Sequence, residues 1–81
     1  MASQEDIAHQ QTLLATYRGN LRILLRQASK YGDEEDAPLQ IVNGIRGARD
    51  NIRRVKSILR GWGVTVEDLP DEQEPGAATG A

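Results

Sequence analysis

The sequence predicts an all-α protein, an antiparallel two-helix hairpin. Three observations predict it: two runs of apolar residues at heptad spacing, helix-start and helix-stop residues at their ends, and a short acidic connection between them. Ser3 to Asp6 reads S-x-x-D, which suits a helix N-cap followed by an acid in the first turn. From there Ile7, Leu14, Leu21 and Ala28 form one row. Tyr17, Leu24 and Tyr31 form a second, with Gln10 its polar member, and Leu13 and Leu25 widen the stripe. Gly32 after Tyr31 suits a left-handed C-cap, so the first helix is expected over residues 4–31.

The connection is Gly32-Asp33-Glu34-Glu35-Asp36. Asp36 is expected to cap the second helix, with Pro38 in its first turn, where a missing N–H costs nothing. Ile45, Ile52 and Leu59 then form one row; Ile41, Ala48, Val55 and Trp62 form the other, flanked by Val42 and Ile58. Gly61-Trp62-Gly63 stops the run, which gives a second helix over about residues 37–60. At 1.5 Å rise per residue the helices measure roughly 42 and 36 Å, and near-equal lengths joined by a short loop make an antiparallel pair. Val64 to Leu69 alternates apolar and polar residues over too short a span to assign as a strand, and an extended run across the hairpin is one reading. Residues 1–69 are thus the expected module. Residues 70–81, rich in Pro, Gly, Ala and acids, are an expected disordered tail or linker, dispensable for folding.

Composition narrows the function classes. A chain of 81 residues supports one small domain, and such domains usually add disulfides, a metal or a partner chain. There is no cysteine and a single histidine, His9, so disulfides and Cys/His metal clusters are excluded, and self-association is the remaining support. The N-terminus lacks a basic patch followed by an apolar run, and no stretch approaches the roughly 20 apolar residues of a membrane span, so a cytoplasmic location without membrane contact is expected. Ser3, Ser29 and Ser57 have no base at suggestive spacing. Carboxylate pairs occur only in the loop and tails, and no phosphate-binding glycine motif is present. No catalytic residue, cofactor-binding residue, metal ligand or cofactor is therefore assigned.

The apolar stripes are wider than two facing helices need. Burying one Leu or Ile is worth roughly 1.5–3 kcal/mol, so pairing of two hairpins into a four-helix bundle is expected, a dimer being favoured. The assigned self-association seam is Leu14, Tyr17, Leu21, Leu24 and Leu25 on the first helix with Ile45, Ala48, Ile52, Val55, Leu59 and Trp62 on the second. Trp62 has two readings, a cap on the bottom of the core or an exposed anchor for a partner. Gly44 and Ala48 are at small-xxx-small spacing, and with Gly47 they permit a close helix approach; relaxed selection at exposed positions is the other reading of glycines inside helices.

Charge is segregated although the net charge is only −2. All ten Lys and Arg lie between Arg18 and Arg60, and Arg18, Arg22, Arg26 and Lys30 repeat every four residues. A solvated helix face, an acidic protein partner (an acidic segment of a neighbouring copy would serve) and nucleic acid are the three readings. No aromatic residue is left off the seam to stack on bases, which disfavours the last. Arg46, Arg49, Arg53, Arg54 and Lys56 are assigned as the charged partner-binding set. Reversing charge at Arg49, Arg53 and Lys56 together is expected to abolish partner binding and leave the hairpin folded.

Several stretches resemble a known group of modules: Leu13-Leu14-Ala15-Thr16-Tyr17-Arg18-Gly19-Asn20-Leu21, Gln27-Ala28-Ser29-Lys30-Tyr31-Gly32, Ala37-Pro38-Leu39, Asn43-Gly44-Ile45-Arg46 through Ile52-Arg53-Arg54-Val55-Lys56, and Leu59-Arg60-Gly61-Trp62-Gly63-Val64 with Glu67-Asp68. Across about residues 10–69 the chain resembles the small helical effector-associated, or death-like, adaptor modules of multidomain bacterial conflict proteins. These accompany NACHT/STAND-type ATPases, peptidases and TIR-type effectors. The resemblance implies homotypic association, in which like modules on the same or other polypeptides bind each other and bring an effector to its sensor in bacterial defence. A nucleic-acid-binding hairpin dimer using the Arg/Lys stripe is the alternative function.

Overall fold

The computed structural model describes residues 2–72. Helix α1 spans Gln4–Ala28 and helix α2 spans Leu39–Gly61, and the two pack side by side as an antiparallel hairpin. The N-terminal cap forms as the sequence predicts. The Asp6 N–H donates to Ser3 Oγ at 3.1 Å, and the Ser3 N–H donates to Asp6 Oδ2 at 3.2 Å, so two otherwise unpaired donors are satisfied reciprocally.

The end of α1 tightens. Residues Ser29–Tyr31 form a 3₁₀ turn, which closes at Gly32 with φ 91°, a left-handed value that glycine adopts without strain. The tighter winding carries Tyr31 out of the heptad row and leaves it exposed. A second 3₁₀ turn occupies Glu34–Asp36. Helix α2 therefore begins at Leu39, two residues later than expected, and Asp36 does not cap it. Pro38 is the reason. A residue before proline is pushed out of the helical region, and Ala37 is extended at φ −69°, ψ 159°. Pro38 itself takes the N-cap position, where its carbonyl accepts from the N–H groups of Ile41 and Val42 at 2.9 and 3.1 Å.

The core lies along the seam between the helices. Leu14, Leu21 and Ala28 of α1 and Ile45, Ala48, Ile52, Val55 and Leu59 of α2 are buried together with Ala37. Gly44 permits a close approach here: a Cβ there would lie 3.1 Å from Leu24 Cδ1, and the Leu24 side chain would have to shift to admit it. At Gly19 and Gly47 an added Cβ meets nothing within 4 Å, so close packing within the hairpin explains Gly44 alone among the three.

Helix α2 ends in a complete Schellman motif. The Val64 N–H donates to the Leu59 carbonyl at 2.9 Å and the Gly63 N–H to the Arg60 carbonyl at 3.0 Å, with Gly63 at φ 81°. The motif turns the chain back along the hairpin. Residues 64–69 then run extended without pairing as a strand, with Val64, Val66 and Leu69 half-buried and Thr65, Glu67 and Asp68 exposed. Pro70–Glu72 adds a short 3₁₀ turn in which Glu72 is 8% exposed. The folded part thus extends past the boundary expected at residue 69, because Glu72 is a buried ionic anchor. The expected disordered tail beyond it lies outside the described residues.

Candidate interaction surfaces

The seam between the helices has two flanks, and each is built from one edge of α1 and one edge of α2. On the first flank α1 supplies Arg18 and Arg22, and α2 supplies Arg49, Lys56 and Arg60, all from the heptad edge that the sequence fills with cations. The segment 64–72, hereafter the strap, covers this flank, over Leu14 and Leu59. Val64 and Val66 pack on the core, and two of its carboxylates, Asp68 and Glu72, meet the cations.

Four of these cations, Arg18, Arg49, Lys56 and Arg60, have specific acceptors on the chain. Arg18 pairs with Glu72 and donates to the Glu67 carbonyl at 2.8 Å. Arg49, 5% exposed, grips Glu34 of the loop through both terminal nitrogens at 2.9 and 3.0 Å, while its Nε donates to the Asp71 carbonyl at 2.9 Å. A bidentate guanidinium–carboxylate pair fixes direction as well as distance, so Arg49 ties loop, helix and strap together. Lys56, 6% exposed, pairs with Asp68 at 2.7 Å and with Glu72. Arg60 donates to Asp68 Oδ1 and to the Val66 carbonyl, each at 3.0 Å.

These contacts shift two carboxyl pKa values. Hydrogen bonds from Lys56 and then Arg60 hold the Asp68 carboxyl below the usual carboxylate range. Burial works to raise that of Glu72, but the hydrogen bonds and positive charges of Arg18 and Lys56 together outweigh it and hold it low as well.

This arrangement corrects the assigned partner-binding set. Arg49 and Lys56 are buried inside the chain and neutralised by its own acids, because the strap folds back onto them. Reversing their charge would set like charges against Glu34, Asp68 and Glu72 and expel the strap, so it would not leave the fold intact. Arg46, Arg53 and Arg54 do lie on the exposed surface, and Arg53 faces Asp50 at 3.4 Å. Reading the sequence alone misses Glu34, Asp68 and Glu72 as partners of the basic stripe. The available signal was the glycine after α2, which permits the chain to turn an acidic segment back over a basic helix.

The second flank is open, and none of the residues lining its groove is charged. From α1 it is lined by Tyr17, Asn20, Ile23, Leu24 and Gln27, and from α2 by Gly44, Gly47, Ala48 and Asn51. Ile23 stands out from it at 56% exposed. Of the assigned seam, Leu14, Leu21, Ile45, Ala48, Ile52, Val55 and Leu59 are buried in the hairpin's own core, and Tyr17, Leu24 and Leu25 are half-buried against it. A heptad row marks a face that is buried, whether by the same chain or another, and here most of it is filled from within. Trp62 does not cap the core: it is 39% exposed beside Ala2 and Asp6 at the end of the hairpin. His9 lies on the exposed surface of α1.

Among the described residues, no group of three or more His, Cys, Asp or Glu side chains is placed to hold a metal ion. No helix among them is long and apolar enough to cross a membrane. Comparison with protein-family models, curated proteins and solved structures finds no match.

Proposed function

We propose that this chain is a cytoplasmic, non-catalytic protein-interaction module that self-associates and, by pairing with like modules, gathers the proteins that carry them. The observation that supports it is the division of the hairpin into two flanks. One is closed by the chain's own acidic strap, and the other is an open, uncharged groove between the helices. Half-exposed apolar side chains gain free energy when another surface covers them, roughly 25 cal/mol per Å². Pairing two hairpins on that flank makes a four-helix bundle. The resemblance to effector-associated modules of bacterial defence proteins gives the same reading a biological setting, the recruitment of an effector to its sensor.

The solution mass by light scattering, from micromolar to millimolar chain concentration, tests the reading. A mass rising to twice 8.9 kDa is expected. A mass of 8.9 kDa at every concentration overturns self-association. The nucleic-acid alternative is weakened by the cations spent on the strap, and salt-steep RNA binding by a monomeric chain would restore it.

A further inference from the structure

The open flank has a shape that matches itself. A two-fold interface uses the same patch on both partners, so the patch must carry both a projection and the depression that receives it. Ile23 is the projection, more than half exposed on α1. Gly47 is the depression on α2, where an added Cβ would meet nothing within 4 Å. Both line one groove. A two-fold axis parallel to the helices lays α1 of each copy over α2 of the other, which sets Ile23 against Gly47 twice.

The polar chemistry of the flank is equally self-matching. Its polar members are three amides, Asn20, Gln27 and Asn51, and the Tyr17 hydroxyl, and each both donates and accepts. Two copies can therefore approach without like charges meeting, whereas the basic or acidic surface elsewhere on the hairpin would repel its own image.

We infer that a second copy of this chain docks on this flank, with Ile23 of each copy seated on Gly47 of the other. The inference rests on the self-association proposed above and names its surface. It also gives Gly47 the purpose that packing within one hairpin does not supply.

Gly47 offers a clean test, because a side chain there touches nothing in the hairpin and a helix prefers almost any residue to glycine. The variants are Gly47→Glu and Ile23→Lys, examined alone and as an equimolar mixture by light scattering and circular dichroism. Each alone is expected to keep wild-type helicity and lose the doubled mass. The mixture is expected to regain it, since the pairing sets Glu at 47 against Lys at 23. A Gly47→Glu chain that keeps the doubled mass overturns this surface while leaving self-association standing. A wild-type chain that never doubles overturns both.

Discussion

Replacing Glu72 by Gln should cost the chain more than any other single charge removal on the strap. The Glu72 side chain is 3% exposed and touches both Arg18 and Lys56. Glutamine keeps the shape and removes the charge. Breaking a fully buried ion pair costs about 3–5 kcal/mol because the surviving partner is left uncompensated. Here neither cation is stranded: Lys56 keeps Asp68 at 2.7 Å, and Arg18 keeps the Glu67 carbonyl at 2.8 Å. The expected loss is therefore smaller, about 2 kcal/mol, which for a domain of this size lowers Tm by roughly 8–16 °C. Thermal unfolding followed by helical circular dichroism reads it, at one fixed chain concentration, because association makes Tm concentration-dependent. Glu67→Gln is the matched control. It removes the same charge five residues away, but the contact of Glu67 with Arg18 is through its backbone carbonyl, so its effect should stay within about 0.5 kcal/mol. If the two variants melt together, the strap is not anchored through Glu72 and the account of the covered flank is wrong.

Three further outcomes follow from particular residues. Gln10→Leu should raise stability by about 1 kcal/mol in urea unfolding, since Gln10 Oε1 is buried without a hydrogen-bond partner; a loss would place that oxygen in contact with water. Gly19→Ala should stabilise by up to about 1 kcal/mol, because its Cβ meets nothing, while Gly44→Ala should gain less or lose, because Leu24 must yield; equal gains would contradict the close approach at Gly44. Stability should also fall in acid. Asp68 and Glu72 have folded pKa values below their unfolded ones, so the unfolded chain binds more protons and stability rises with pH. The contribution is complete above the ordinary carboxylate range near about pH 4 and drains away as pH drops through the lower folded values. Urea unfolding in a pH series should show a shallower acid loss for Glu72→Gln than for wild type, and identical profiles would remove Glu72 as a cause.

Much of the hairpin was legible because its determinants are local. Ser3 and Asp6 sit three residues apart and cap each other without help from the rest of the chain, and Gly32 turns the chain where the apolar period breaks. The start of α2 was legible in kind but not in place. The sequence suggests Asp36 as the cap with Pro38 in the first turn, but the restriction that proline puts on Ala37 makes Pro38 itself the cap. The covered flank was not legible. Arg18, Arg49 and Lys56 have the same spacing whether water, a partner or the chain's own acids face them; the Schellman turn at Gly63 brings Asp68 and Glu72 to Arg18 and Lys56, and the loop before α2 brings Glu34 to Arg49. The heptad rows carry a similar ambiguity. Leu21, Ile52 and Leu59 would read the same in an interface between chains, yet they fill the seam within one. At Gly47 the sequence left two readings, a close helix approach or an exposed position, and the structure sets it facing open space on the open flank.

Contacts between copies are the most direct measure of the central claim that two hairpins meet on the uncharged flank. A mixture of isotope-labelled and unlabelled chains, examined by filtered NOE spectroscopy, detects only protons that approach across the interface. Cross-peaks between the Ile23 methyl groups of one copy and the Gly47 α-protons of the other are predicted, with contacts between the strap and Lys56 arising within a single chain. Cross-peaks that instead join the strap of one copy to Lys56 of another, or none at all from Ile23, would contradict it.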